Sequence, residues 1–240
     1  MASVHIVSAY DEELKYLVRR IAVMGGHAER MVEQAVAALV GGDAELASKV
    51  VADDAALDEA QRDIDDKAIV VIARRQPMAT DLREIVGAIR IAAELERVGD
   101  LGKNVAKRVA AVTQAGPPAG PFRGIEALAA LTLTQLKQVL DVYASRAVER
   151  LGFVRDRDDQ IDAMYTSLFR ELLTYMMEDA RNIASCTHLL FCAKNIERIG
   201  DHATNIAETI YHIVTGEQMP AERPKQDKTD RLVIGPGLPK

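Results

Sequence analysis

Aromatic residues are scarce in this sequence. Tryptophan is absent, and Phe, Trp and Tyr together make up only 4% of the 240 residues, although 48% are hydrophobic. A core for a chain of this length must therefore be built from Leu, Ile, Val, Met and Ala. Because several of these side chains favour helices, the composition predicts one or two domains with aliphatic, helical cores.

Cysteine is also rare, with Cys186 and Cys192 the only two. Six residues apart on one helix, their thiols point in different directions and cannot easily form a disulfide. No Cys-x-x-Cys motif is present. We therefore interpret both as buried thiols of a protein in a reducing cytosol.

Long apolar runs and an excess of positive charge are missing as well. The purest apolar run, residues 68–73, is far too short to cross a bilayer, and the N-terminus has no apolar signal core. With a net charge of −6, the sequence lacks the excess of Lys and Arg that is typical of proteins that bind nucleic acids or anionic lipids. The sequence thus predicts a cytoplasmic protein that binds no nucleic acid and reaches membranes only through partners.

Apolar residues spaced three and four apart recur along most of the chain and predict six helices. Asp43 is expected to cap the second helix, Pro77 to end it, and Thr80 to cap a third helix that continues through Val112. The Pro- and Gly-rich stretch that follows predicts a linker, and the polar C-terminal segment is expected to be disordered. The predicted boundaries are 1–115 and 122–217 for two domains, 116–121 for the linker and 218–240 for the tail.

The two halves repeat each other. Residues 96–106 and 197–207 are identical at six of eleven positions, and two further positions exchange Val for Ile. Internal duplication is the natural explanation. We therefore expect an all-α fold of two tandem three-helix bundles related by a pseudo-two-fold axis.

The repeated segments carry acidic ladders. Carboxylates spaced four apart share one helix face, where they repel unless a counter-ion is present. Oxygen ligands favour Mg, Ca, Mn or iron, so these positions are candidate metal ligands. A solvated acidic surface would repeat in the same way, so that alternative stays open. The candidate ligands are Asp54, Asp58, Glu96, Asp100, Asp158, Asp162, Glu197 and Asp201.

Signatures of catalysis are not found. There is no P-loop, no Gly-x-Ser-x-Gly and no Glu-x-x-His, and the mid-helix Gly99 and Gly200 are better explained by close helix packing. His202 is expected to be exposed or to face a partner. We therefore predict a protein that is not an enzyme. The alternatives are a metal-dependent carboxylate-cluster enzyme and a purely structural helical protein.

Several stretches, in this order and spacing, resemble the PhoU family of phosphate-transport accessory proteins. The resemblance extends over residues 1 to about 217. The stretches that carry it are Met24-Gly25-Gly26, Arg75-Gln76-Pro77, Glu94-Leu95-Glu96-Arg97-Val98-Gly99-Asp100, Tyr175-Met176-Met177-Glu178-Asp179 and Ile196-Glu197-Arg198-Ile199-Gly200-Asp201.

This resemblance implies two three-helix bundles, a homodimer, and clusters of divalent or ferric ions (Mg, Mn, Zn or Fe) at the acidic motifs. The four motifs of this chain that match are Asp54 to Asp58, Glu96 to Asp100, Asp158 to Asp162 and Glu197 to Asp201. It also implies a cytoplasmic regulator that restrains phosphate uptake and keeps the phosphate-starvation regulon off. The implied partners are the ATPase subunit of a phosphate ABC transporter and a sensor histidine kinase.

Overall fold

The computed structural model describes the backbone of residues 2–118 and 120–219, and the side chains from Tyr10 onward within those ranges. The regular secondary structure of these residues consists of helices, with no strand. Two short 3₁₀ turns span Val148–Gly152 and Ala180–Asn182. The α-helices are α1 (Ala2–Gly41), α2 (Ala44–Arg75), α3 (Thr80–Ala106), α4 (Val109–Ala115), α5 (Gly120–Ser145), α6 (Phe153–Glu178) and α7 (Ile183–Thr215).

The helices begin and end at local signals. The Asp43 carboxylate accepts hydrogen bonds from the first-turn amides of α2, which confirms the predicted cap. Gly216, with φ of 79°, closes α7 in the left-handed conformation that glycine adopts without strain. The predicted cap at Thr80 is wrong by one residue, because Ala79 occupies the cap position and no side chain caps α3 there.

The third helix is shorter than the sequence predicted. Instead of running through Val112, α3 ends at Ala106 and α4 begins at Val109. Arg108 lies at this break and reaches α7, with its guanidinium carbon 4.3 Å from the centre of the Phe191 ring. The hydrophobic spacing continues through the break, which is why periodicity alone did not reveal it.

Three helices pack together in each half, which confirms the predicted pair of three-helix bundles. The first bundle contains α1, α2 and α3, and the second contains α5, α6 and α7. The helix α7 packs antiparallel to α3 and α4, since Arg83 contacts Ile213 while Arg108 contacts His188. A two-fold axis through the crossing of two equivalent helices produces such an antiparallel pair.

Between the bundles, the end of the predicted linker is helical. The helix α5 already begins at Gly120, inside the predicted range 116–121, with Pro121 in its first turn, where proline is tolerated. Of the predicted tail, residues 220–240 lie outside the described residues.

The core is aliphatic, as the composition predicted. Its largest fully buried side chains are Leu, Ile and Met with a single tyrosine, Tyr143. Cys186 and Cys192 are both buried and unbridged on α7, which confirms the expectation of two buried thiols that form no disulfide. Among the described helices, none combines the length and the apolar character needed to span a bilayer.

Two glycines let neighbouring helices approach closely. A Cβ atom on Gly99 would lie only 2.3 Å from Cδ1 of Leu57 on α2, and one on Gly200 would lie 3.0 Å from Cδ1 of Ile161 on α6. In each half the end of an aliphatic side chain therefore fills the space beside a glycine, on α3 in the first half and on α7 in the second. This confirms that both glycines serve packing. We call these two spaces the glycine notches.

A polar contact joins the two bundles. Nδ1 of His202 on α7 lies 2.6 Å from Oε2 of Glu94 on α3, and the Asn205 amide donates to the same oxygen at 3.1 Å. The His202 side chain is only 15% exposed, so the expectation of an exposed histidine is wrong. Its partner lies in the other half of the same chain, which no spacing within one helix indicates.

We expect Leu57→Ala to lower the free energy of unfolding by about 2–5 kcal/mol, because it empties the notch at Gly99 and removes a fully buried side chain. Ile69→Ala on the same helix is the control, since Ile69 is 60% exposed. Its cost should stay within about 0.5 kcal/mol. Urea unfolding followed by circular dichroism measures both. Equal losses for the two variants would contradict the packing described.

A double-mutant cycle tests the contact between bundles. Glu94→Ala and His202→Ala should show a coupling of about 0.5–3 kcal/mol, because the partly buried groups contact each other directly. The control is Glu12 with Lys15, a pair whose side chains are 59% and 63% exposed, where the coupling should be close to nothing. Additive losses at Glu94 and His202 would show that the contact does not join the bundles.

Candidate functional site

The eight predicted carboxylates fall into two equivalent places. The first acidic site lies between α2 and α3, and the second lies between α6 and α7. We use these two names for the groups Asp54, Asp58, Glu96 and Asp100, and Asp158, Asp162, Glu197 and Asp201.

The glycine notches bring the carboxylates of each site together. Asp58 directly follows Leu57 in sequence, and Asp100 directly follows Gly99, so the packing of Leu57 into Gly99 places both acids at one helix crossing. The same order recurs in the second half, where Asp162 follows Ile161 and Asp201 follows Gly200. The sites are therefore consequences of how the helices pack.

Burial distinguishes these carboxylates from an ordinary acidic surface. Asp54 is 9% exposed, Asp162 8% and Glu197 4%. Charged side chains are almost never this buried unless they are paired. A solvated acidic face, the alternative left open by the sequence, does not describe these three residues.

A lysine neutralises the first acidic site. The Lys103 ammonium donates to Oδ2 of Asp54 at 2.5 Å and to Oδ1 of Asp100 at 2.6 Å, and thereby links α2 to α3. Sequence reasoning missed this residue. Its position three residues after Asp100, on the same helix face as the ladder, was the signal that could have identified it.

The pKa directions at the first site follow from this arrangement. Burial raises the pKa of Glu96, and the neighbouring Asp100 and Asp58 charges add to that increase. Burial would also raise the pKa of Asp100, but the hydrogen bond and charge of Lys103 outweigh it and lower that pKa. Burial acts against the charged form of Lys103, yet its two carboxylate partners raise the pKa of the ammonium. The lysine therefore stays charged at neutral pH.

Glu197 is the most unusual carboxylate of the second site. Its Oε1 accepts a hydrogen bond from Lys194 at 2.9 Å, whereas its buried Oε2 has no hydrogen-bond partner among the described residues. Burial, reinforced by the Asp201 and Asp162 charges, raises the pKa of Glu197 to about 7 despite the opposing effect of Lys194. A buried unpaired oxygen of this kind fits a cation or a proton.

The two acidic sites do not fit a metal ion equally well. Across the side chains that the structure describes, no three His, Cys, Asp or Glu residues are grouped closely enough to hold a metal. In the first site, the Lys103 ammonium already lies against two of the candidate ligands. In the second site, Oε2 of Glu197 is available. Metal binding at the predicted residues stays a prediction.

Asn205 lies four residues after Asp201 on α7 but does not face the second acidic site. Its amide donates to Glu94 across the junction of the bundles. At the position equivalent to Lys103 in the repeat, the second half carries Thr204, whose hydroxyl donates to Oδ1 of Asp158 at 3.3 Å. The two halves therefore share their carboxylates but not the side chains around them.

The buried nucleophilic groups are not activated. Burial raises the pKa of Cys192 to about 12 and also raises the pKa of Cys186, so both thiols stay protonated and inert at neutral pH. The buried Ser185 hydroxyl donates to the backbone carbonyl of Asn182, and the Thr132 hydroxyl to that of Leu128. The chemistry that the carboxylates support is the binding of cations and protons.

The pKa of Glu197 makes stability depend on pH. Between about pH 4.5 and pH 7, the unfolded chain has released this proton while the folded chain keeps it, so the folded state loses stability as the pH rises. Glu197→Gln cannot ionise and should remove this loss. We expect the free energy of unfolding of the parent to fall, relative to that of the variant, by on the order of 2–3 kcal/mol between pH 4.5 and pH 8.

Urea unfolding at several pH values in the presence of EDTA measures this difference without interference from metals. Glu208→Gln, an exposed position on the same helix, serves as the control and should follow the parent curve. If the Glu197→Gln and parent curves run parallel across the range, Glu197 ionises normally in the folded protein.

Comparisons with known proteins agree with this architecture. The PhoU domain model matches the chain twice, at residues 21–109 and 125–210, once in each half. The chain is 68% identical over 232 residues to the phosphate-specific transport system accessory protein PhoU homolog of Rhizobium meliloti (strain 1021), covering 97% of this chain and 98% of that protein. It is 33% identical over 232 residues to the phosphate-specific transport system accessory protein PhoU of Escherichia coli (strain K12), covering 96% and 95%.

Two crystal structures share the fold. PhoU from Pseudomonas aeruginosa superposes with a TM-score of 0.83 at 33% identity, covering 87% of this chain and 100% of that one. The phosphate transport system regulatory protein PhoU from Streptococcus pneumoniae gives 0.81 at 25% identity, covering 88% and 100%. With a matching domain in each half and a relative this similar over nearly its whole length, the chain belongs to the PhoU family.

Proposed function

We propose that this chain is a regulatory accessory protein of a phosphate-specific transport system. The observation that carries this proposal is the 68% identity, over 97% of the chain, to a protein named as such an accessory protein. The Streptococcus pneumoniae structure of the same fold is named a regulatory protein of phosphate transport, which supports a regulatory role.

The proposed mode of action is binding, with no catalytic turnover. The chain would act in the cytoplasm as an adaptor between the ATPase subunit of the phosphate ABC transporter and a sensor histidine kinase. In phosphate-rich conditions it would restrain uptake and keep the phosphate-starvation regulon off. The inert buried thiols and the hydroxyls bonded to their own helices support binding over turnover.

The pseudo-symmetry of the fold supports an adaptor. Two similar bundles packed through antiparallel α3 and α7 present two quasi-equivalent faces. Such faces suit a partner that contains two copies of one subunit, because both copies can then be bound at once. We also propose a homodimer. An exposed apolar side chain on α1, Val23 at 62%, supports it, since a second copy could cover it.

Deletion of the gene tests the regulatory role. In phosphate-rich medium, the deletion strain should show higher phosphate uptake than the parent and an active starvation-regulon reporter, because the restraint is gone. Expression of the intact chain from a plasmid should restore both. Normal uptake and normal repression in the deletion strain, in a genome with no second copy of the gene, would contradict the proposal.

Affinity purification from cells tests the proposed partners. The tagged chain should retain the transporter ATPase subunit and the histidine kinase, and the amounts retained should differ between phosphate-rich and phosphate-poor cells. Leu57→Ala provides a packing-defective comparison, and the exposed Ile69→Ala provides the matched control. Recovery of neither partner in either medium would contradict the adaptor role.

A further inference from the structure

We propose that Lys103 is a built-in cation that closes the first acidic site to metal ions. In this chain the α2–α3 site would be an ion-paired link between helices, and any metal would be bound elsewhere. The inference concerns metal content alone, so its outcome is independent of the proposed role in phosphate transport.

The Lys103 ammonium already lies against one oxygen of each of two candidate metal ligands. Its Nζ atom lies 2.5 Å from Oδ2 of Asp54 and 2.6 Å from Oδ1 of Asp100. A metal ion bound by carboxylates lies about 2.0–2.6 Å from their oxygens, depending on the ion. The ammonium and a metal would thus compete for the same two oxygens, and their like charges would repel.

Burial and tethering both favour the lysine. The Lys103 side chain is 19% exposed and that of Asp54 is 12% exposed, so water screens this contact weakly. Since Lys103 lies on α3 only three residues after Asp100, the chain itself holds the ammonium at the site. A metal ion must instead come from solution and shed its own water.

The second half shows that the fold does not require this lysine. The equivalent position in the repeat is Thr204, whose neutral hydroxyl contacts Asp158. Lys194, which approaches the second site by donating to Oε1 of Glu197, has Ala93 as its counterpart in the first half. Each half therefore carries its lysine at a different position of the repeat. In the first half, the Lys103 ammonium lies between an aspartate of α2 and an aspartate of α3, whereas the equivalent residue of the second half is the neutral Thr204.

The direct test is Lys103→Thr, which copies the second half. Without the ammonium, the carboxylates of the first site lack this counter-ion, and rotation of their side chains should let them bind a metal in its place. In equilibrium dialysis against Mn²⁺, with bound metal measured by plasma mass spectrometry, we expect at least one additional Mn²⁺ per chain. Mn²⁺ should also raise the Tm of this variant more than that of the parent, because the ion replaces the missing charge.

Lys107→Thr is the matched control, at an exposed lysine four residues further along that forms the C-cap of α3, and it should bind as much Mn²⁺ as the parent. A Lys103→Thr protein that folds, as judged by circular dichroism, but binds no more Mn²⁺ than the parent would overturn the proposal.

A second measurement keeps the test decisive if Lys103→Thr does not fold. Asp100→Asn in the parent background should leave the bound Mn²⁺ unchanged, because the first site holds none. Asp43→Asn, at the exposed cap of α2, controls for the loss of one carboxylate. A loss of bound Mn²⁺ in Asp100→Asn but not in Asp43→Asn would show that the first site binds metal beside Lys103, and the proposal would be wrong.

Discussion

The close approach of helices at Gly99 and Gly200 is the contact on which the acidic sites depend. Leu57 fills one notch, 2.3 Å from where a Cβ on Gly99 would lie, and Ile161 fills the other, 3.0 Å from where a Cβ on Gly200 would lie. Because an aspartate follows each of these four residues in sequence, the same contact that packs the core also brings acidic side chains together. Apolar packing thus places negatively charged side chains close together beside the core, where they repel each other.

The two acidic sites offset this repulsion between carboxylates in two different ways. In the first site, Lys103 lies against carboxylates from two helices and holds the charge in an ion pair. In the second site, Lys194 pairs with one oxygen of Glu197, and burial shifts the pKa of that carboxyl to about 7. A buried carboxylate is stabilised by a counter-ion or by a proton. The first site relies on the counter-ion, and the second site relies on a lysine together with a raised pKa.

Departures from the repeat also define the junction between the bundles. Glu94, His202 and Asn205 form a polar contact across α3 and α7, although the counterpart of His202 is Leu101. Nearby, Arg146 at the end of α5 pairs with Glu84 of α3 at 2.5 Å. Apolar packing between two similar helices allows several registers, whereas specific polar pairs favour one. These contacts therefore select how the bundles meet.

The sequence by itself determined the helical class, the duplication and the repeated acidic motifs, whereas it did not show which of their carboxylates are buried. All three are recorded in local periodicity or in the repeat, since a helix places every third or fourth residue on one face whatever it packs against. The buried stripes follow from the same rule, and the cap at Asp43 follows from the unpaired amides of the first helical turn.

Tertiary structure alone decided which groups meet those carboxylates. The pairing of Lys103 with Asp54, the contact of His202 with Glu94 and the break before α4 at Arg108 all depend on reach between helices. Residues far apart in sequence meet only when the helices cross at one angle and register, and helical spacing does not contain that information. The physical reason is that burial is periodic along a helix, whereas the partner of a buried charge is set by the neighbouring helix.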